Sequence, residues 1–199
     1  METHSEKGSK TRAKLIETAR ELFHKNGVRA TSIDQILEVS GTGKSQFYHY
    51  FKGKEDIVHE VLQFYMRMGR SGKGPVKVYI NSWKDLERFF YDHVNGIKMF
   101  NSERSCPVGS IGNELASENE EIRKDVNLIF GFMRNNISNF LKDLKDKGKL
   151  KKSADPESLA DFCISAVQGS LLLAKVRKDS KAAENTADHA LKYLKSFAK

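Results

Sequence analysis

Apolar residues recur at spacings of three and four along almost the whole chain, the pattern of amphipathic helices. Only three prolines occur, and none interrupts a long periodic segment. The sequence therefore predicts an all-α fold. The predicted helices cover residues 10–26, 32–39, 44–50, 54–67 or beyond, 82–99, 119–147, 156–176 and 181–197, with a broken helical stretch at 105–117.

Glycine, serine and proline are concentrated in MGRSGKGPV, residues 68–76, which predicts a domain boundary at or shortly before this segment. The predicted division is an N-terminal domain of three helices over residues 1–53, a connector helix and linker over 54–74, and a larger helical domain over 75–199.

Composition and motifs exclude several classes of protein. A chain of 199 residues can bury a sizeable core, and its two cysteines, Cys106 and Cys163, lie outside metal-binding or disulfide-scaffold spacing. No P-loop, GxGxxG, HExxH or GxSxG motif occurs, so neither an enzyme nor a cofactor is predicted. The polar N-terminus, and the expectation that no run approaches the length of a membrane span, predict a cytoplasmic protein without a membrane partner. The net charge of +8 favours a polyanionic partner, although charge alone is weak support.

Two short helices joined by a turn at Gly41 indicate a helix-turn-helix, whose second helix enters the major groove of DNA. The outward N-terminal end of that helix is predicted to read bases through Lys44, Ser45 and Gln46. Thr42 is predicted to cap it and to belong to the DNA-binding surface. Phosphate or groove-edge contacts are predicted for Thr31, Ser32, Tyr48, His49 and Lys54. The aromatic residues Phe47, Tyr50 and Phe51 are expected in the core of the three-helix unit instead of on DNA.

Residues 12–62 resemble the DNA-binding domain of TetR-family transcriptional regulators. The resemblance combines the Gly27 helix stop, the Thr31–Ser32–Ile33 helix start, the Gly41 turn and FYHYFKGKED at 47–56, all at the family spacing. Gly43 departs from the usual Ser or Thr. The resemblance implies a homodimer that binds double-stranded operator DNA, by default as a repressor, and a C-terminal domain that holds a small-molecule effector and the dimer contacts.

Within the larger domain, ERSCPVGSIGNELAS (103–117) and the helices from residue 164 onward are similar to a TetR subgroup with a GCPVG-type element and a VQGALLLA-type penultimate helix. That subgroup includes sensors of small organic compounds, electrophiles and oxidants. The ligand-binding candidates are aromatic, sulfur-bearing or polar residues: Tyr65, Phe89, Phe90, His93, Met99, Phe100, Cys106, Phe130, Met133, Phe162 and Gln168. Residues of these types are more often part of the core than ligand contacts.

Three alternatives stay open at this stage. Cys106 is either a reactive thiol, which makes the protein a redox sensor, or a small buried hydrophobe. The basic charge also allows a DNA-binding architectural protein with little sequence preference. Dimerisation is predicted to use the last two helices, where small residues permit close approach and leucines supply apolar area. The small residues are Ala166, Gly169, Ser170 and Ala174, and the leucines are Leu171, Leu172, Leu191 and Leu194.

Overall fold

The computed structural model describes residues 4–199, with side chains from Gly8 onward. The described part of the chain is all-helical, as predicted, apart from one isolated bridge between Leu150 and Ala198. Its helices are α1 (His4–Asn26), α2 (Ile33–Ser40), α3 (Lys44–Tyr50), α4 (Lys54–Ser71), α5 (Trp83–Met99), α6 (Pro107–Leu115), α7 (Glu120–Asp146), α8 (Pro156–Arg177) and α9 (Lys181–Lys195).

The turns around α2 have the predicted chemistry. Ser32 caps α2, since its Oγ accepts a hydrogen bond from the Gln35 amide at 3.1 Å while Gln35 Oε1 accepts one from the Ser32 amide at 2.8 Å. Gly27 (φ +87°) and Gly41 (φ +62°) adopt the left-handed conformation that ends α1 and α2. These residues therefore fix the lengths of both helices.

The predicted cap of α3 is wrong. Gly43, not Thr42, is the N-cap residue, and the Gln46 side chain accepts a hydrogen bond from the Gly43 amide at 3.2 Å. The Thr42 hydroxyl instead lies 2.7 Å from the Ser40 hydroxyl. Because Gly43 has no side chain, Gln46 supplies the side-chain bond at this helix start.

The chain forms two compact units that are discontinuous in sequence. The first contains the residues up to Met66 together with Pro107–Val126, and the second contains Arg67–Cys106 and Asn127–Lys199. The sequence-based division was continuous. The observed division differs from the predicted one because α6 packs against α1 and hydrogen-bonds to the loop after α1. The division passes through α4 and α7.

The first unit has its own apolar core. Phe47 and Phe51, from α3 and its end, are fully buried as predicted, whereas Tyr50 is half-buried. Their neighbours in the core come from α1, α2 and α4 and include Leu15, Ala19, Phe23, Ile36, Ile57, Val58, Val61 and Leu62. Burial of side chains of this size contributes about 1.5–3 kcal/mol each, so α3 is held by its aromatic face.

The second unit is built on α5, α8 and α9, with α7 contributing Ile137, Phe140 and Leu141 to the core. This packing corrects part of the predicted dimer surface. Five of its residues are buried inside the chain and are therefore unavailable to a partner: Ser170, Leu171, Ala174, Leu191 and Leu194. Leu172 is 54% exposed.

One helix in the described part of the chain, α8, is long and apolar enough to cross a membrane, contrary to the expectation that no segment reaches that length. One face of α8 is buried in the second unit, through residues such as Cys163, Val167 and Leu171. A core helix passes the same test of length and composition, so this property alone does not indicate a membrane protein.

Candidate nucleic-acid interface

Helix α3 separates its side chains into a buried face and an exposed face. Phe47 is fully buried, and five polar side chains are exposed: Lys44, Ser45, Gln46, Tyr48 and His49. A short helix anchored on one side can place its other side in the major groove, where Lys, Ser and Gln meet base edges. The structure therefore brings the predicted reading residues together on one surface.

The capping bond of Gln46 limits how it can read a base. Its Oε1 accepts from the Gly43 amide, which leaves one oxygen lone pair and both amide N–H groups for other partners. Bidentate pairing with adenine needs both the oxygen and the nitrogen, so the oxygen would have to accept from Gly43 and from the base together. Pairing through the N–H groups alone, with acceptors such as guanine O6 or N7, makes no such demand on the oxygen.

The two neighbouring residues Thr31 and Ser32 have different environments. Ser32 is exposed at the N-terminus of α2, where a phosphate is favoured by the helix dipole. Thr31 is fully buried, and its hydroxyl donates to the Gly27 carbonyl at 2.8 Å. This burial contradicts the predicted phosphate contact of the Thr31 side chain, which instead fixes the turn between α1 and α2.

Lys54 begins α4 and lies close to the same turn. Its ammonium Nζ donates to the Arg29 carbonyl at 3.4 Å. Partial burial lowers the pKa of Lys54, while the nearby Glu114 carboxylate acts in the opposite direction. Lys54 is thus a cation held in a defined position beside the α1–α2 loop.

Sequence reasoning missed two polar contacts in the first unit. Glu114, on α6, accepts hydrogen bonds from the backbone of the α1–α2 loop. Asp125, on α7, is buried and bonds to two α4 residues, His59 Nδ1 at 2.6 Å and Gln63 Nε2 at 3.0 Å. Both carboxylates lie on helices outside the helix-turn-helix motif, so no local spacing in the sequence connects them to it.

The predicted ligand-binding residues are spread over the structure. Phe89 and Phe90 are buried in the core of the second unit, and Met99 is 74% exposed, which contradicts a role for Met99 in lining an enclosed pocket. Phe162 is 38% exposed. The others are half-buried: Tyr65, His93, Phe100, Cys106, Phe130, Met133 and Gln168.

Two of these residues have specific partners in the second unit. His93 Nδ1 bonds to the Phe89 carbonyl at 2.7 Å, and because a carbonyl can only accept, Nδ1 carries the proton. Burial lowers the pKa of His93, so the neutral ring is favoured. The Phe100 ring lies under the Arg104 guanidinium at 4.3 Å. His93 thus makes a structural hydrogen bond within α5.

An open depression of about 550 Å³ lies between α8 and α9. Of the predicted ligand residues it includes Phe162. Its lining is Phe162, Ser165, Ala166, Gly169, Ser170, Leu173, Asn185, Thr186, His189, Ala190 and Tyr193. Among the residues that the structure describes, no group of three or more His, Cys, Asp or Glu side chains is arranged to hold a metal ion.

Comparison with known proteins agrees with this geometry. The family profile "Bacterial regulatory proteins, tetR family" matches residues 15–61, and the profile "Tetracyclin repressor-like, C-terminal domain" matches residues 84–190. The chain belongs to the TetR family of helix-turn-helix transcriptional regulators. It is therefore a DNA-binding regulator and not an enzyme, as predicted, and its C-terminal part is the ligand and dimerisation domain of that family.

Individual relatives support the same family. An uncharacterized HTH-type transcriptional regulator in the lacX 3' region of Lactococcus lactis subsp. lactis is 30% identical over 187 residues, which cover 89% of this chain and 90% of the relative. The HTH-type transcriptional repressor DhaR of Mycobacterium sp. strain GP1 is 22% identical and covers 84% of each chain.

Solved structures share the fold. A TetR-family regulator from Agrobacterium tumefaciens matches with a TM-score of 0.82 at 18% identity, over 94% of this chain and 98% of that one. E. coli NemR, solved in its reduced form, matches with a TM-score of 0.79 at 20% identity, over 91% and 95%.

Proposed function

We propose that this regulator is a repressor that binds a pseudo-palindromic operator as a homodimer and leaves it when a small hydrophobic or electrophilic effector binds. The observation that carries the proposal is the exposed face of α3, with its base-reading side chains over a buried aromatic anchor. One short helix contacts too few base pairs for useful specificity, so two copies related by two-fold symmetry are required. The relative DhaR, named as a repressor, supports the direction of regulation.

The dimer is supported by a second apolar stripe on α8. Five residues recur at spacings of four and three on a side of α8 distinct from its buried face, and all but Val176 also line the depression beside α9: Phe162, Ala166, Gly169, Leu173 and Val176. Phe162, Leu173 and Val176 remain 38%, 43% and 70% exposed. This spacing fits helix-to-helix packing, and Gly169 allows the backbones to approach closely. We infer that a second copy covers this stripe.

The DNA-binding roles can be separated by substitution. We expect Lys44→Ala to relax base preference at one position, at a cost of about 1–3 kcal/mol for the preferred sequence. Lys54→Ala should weaken binding to all duplexes and reduce the salt slope by about one. The measurement is fluorescence anisotropy over a KCl series, with a duplex selected from a random library by the wild-type protein and with its scrambled version. An altered sequence preference in Lys54→Ala, with an unchanged salt slope, would reverse the assigned roles.

Genome-wide mapping of the wild-type protein tests the regulator directly. A few strong sites with a shared inverted repeat would support operator reading, whereas binding proportional to DNA accessibility would favour the architectural alternative.

The part of the proposal that involves an electrophilic effector depends on Cys106. Cys106 is half-buried, whereas Cys163 is fully buried in the core, and burial raises the pKa of the Cys163 thiol to about 12. A thiolate is the reactive form, so Cys163 should react more slowly than an ordinary thiol. We expect iodoacetamide to modify Cys106 first in the native protein, as read by peptide mass spectrometry. Equal modification of both cysteines under native conditions would contradict this order.

The role of Cys106 in sensing requires a separate measurement. Cys106→Ser is compared with wild type in an operator-release assay, with N-ethylmaleimide as the thiol-reactive probe. If N-ethylmaleimide releases the wild-type protein from the operator but leaves Cys106→Ser bound, the result supports covalent sensing. An identical response in both proteins would remove Cys106 from the mechanism and leave a reversible apolar effector.

A further inference from the structure

The side chain and backbone of Glu114, near the end of α6, contact the loop between α1 and α2. Both carboxylate oxygens are used: Oε1 accepts from the Val28 amide at 3.1 Å, and Oε2 accepts from the Arg29 amide at 2.7 Å. The Arg29 guanidinium in turn donates to the Glu114 carbonyl, at 2.8 Å from Nη2 and 3.2 Å from Nε. We call these contacts among Glu114, Val28 and Arg29 the Glu114 clasp. Two charge-assisted hydrogen bonds accepted by one carboxylate hold a loop more firmly than two neutral hydrogen bonds do.

Gly27 permits this approach. A Cβ atom at Gly27 would lie 2.7 Å from Glu114 Oε1, closer than real Cβ contacts allow. The left-handed φ of +87° at Gly27 is a second reason for glycine. A Cβ atom at this position would therefore displace the Glu114 carboxylate, so Gly27 leaves room for its bonds to Val28 and Arg29.

The loop held by the clasp reaches the DNA-binding surface at two points. The Arg29 carbonyl accepts from the Lys54 ammonium at 3.4 Å, at the start of α4. Three residues beyond Arg29, Ser32 caps α2. Both Lys54 and Ser32 are proposed phosphate contacts, and each takes its position from the backbone that Glu114 holds.

We propose that Glu114 is a positioning residue for operator binding: through the Glu114 clasp it sets the α1–α2 loop and the Lys54 ammonium at the spacing of the DNA phosphates. This inference rests on the proposed phosphate contact of Lys54. Glu114 itself does not touch DNA.

The sign of the effect separates this role from an ordinary surface charge. A carboxylate near a phosphate-binding lysine repels DNA, so if charge alone mattered, its removal would tighten binding. If Glu114 positions Lys54, its removal must weaken binding. The two explanations therefore predict opposite changes in affinity.

The test compares Glu114→Ala and Glu114→Gln with Glu118→Gln as the matched control. Glu118 also carries a negative charge beside Arg29, but it contacts the guanidinium at 2.6 Å and makes no described bond to the loop backbone. Two probes are used: a duplex selected from a random library by the wild-type protein, and a scrambled version of that duplex. Binding is measured by anisotropy from 50 to 300 mM KCl, because affinities that rest on phosphate contacts change by ~10³–10⁵-fold over such a range of salt. Circular dichroism at the assay temperature verifies folding.

For Glu114→Ala we expect at least ~10-fold weaker binding to both duplexes and a salt slope lower by about one, since one phosphate contact is lost. Glu114→Gln retains one acceptor oxygen and should fall between Glu114→Ala and wild type. Glu118→Gln should bind as tightly as wild type or more tightly. In a Lys54→Ala background, Glu114→Ala should have a clearly smaller effect than in wild type, because the part that acts through Lys54 is already lost and only the part through Ser32 remains.

Two results would overturn the role of Glu114: equal or tighter binding by folded Glu114→Ala, with or without a lower melting temperature, or an undiminished effect in the Lys54→Ala background. A wild-type protein that does not distinguish the selected duplex from the scrambled one would instead overturn the operator proposal. The two failures are therefore distinguishable in one data set.

Discussion

Leu173→Asp should abolish operator binding by separating the dimer. Leu173 lies in the middle of the exposed α8 stripe and is 43% exposed in the single chain, so a charge there is tolerated by the protomer but would be buried unpaired against a second copy. A monomer presents one α3 and retains nonspecific binding, so we expect at least ~10³-fold loss of affinity for the selected duplex. Light scattering at micromolar concentration and anisotropy report both effects.

Met99→Asp is the control for this experiment. Met99, at the end of α5, is 74% exposed and lies outside the stripe. The same change of a large apolar residue to Asp should leave mass and DNA affinity unaltered. A dimeric Leu173→Asp protein with full operator affinity would show that the α8 stripe is not the interface.

Phe47→Ala should unfold the DNA-binding unit. The Phe47 ring is fully buried, 5.3 Å from the centroid of Phe51, and it is the buried anchor of α3. Loss of a buried phenylalanine costs about 3–5 kcal/mol, and the short helix has little stability of its own. We expect a melting transition lowered by about 10 °C or more, or a separate early transition of this unit, measured by calorimetry.

Tyr48→Ala is the neighbouring control. Tyr48 is 50% exposed on the proposed DNA face, so its truncation should change stability by about 0.5 kcal/mol or less. It should weaken DNA binding while the melting temperature stays near that of wild type. A Phe47→Ala protein as stable as Tyr48→Ala would contradict the assigned anchor.

The fold and the reading face of α3 were accessible from sequence because their signals are local. The Ser32 cap, the Gly27 and Gly41 stops and the burial of Phe47 and Phe51 each follow from neighbours a few residues away. The error at Thr42 is equally local: a side-chain cap was expected where Gln46 reaches back to Gly43 instead.

The remaining features depend on long-range packing. Periodicity identifies α8 as a helix, but both of its sides are apolar, and only the packing shows which side is buried and which is exposed. For the same reason the sequence assigned Leu171 and Ala174 to the dimer surface, although both are buried in the chain. The predicted phosphate contact of Thr31 was wrong because its hydroxyl donates to a carbonyl within the turn itself.

The assignment of α6 to the first unit limits how the protein can be divided for engineering. A fragment that stops at Met66 keeps the helix-turn-helix but lacks Pro107–Val126, and with it the acceptors for the Val28 and Arg29 amides. A chimera that joins this N-terminal segment to the effector domain of another regulator keeps those amide bonds only if α6 is transplanted with it. For this chain the unit of exchange is therefore two separate stretches of sequence, not one N-terminal segment.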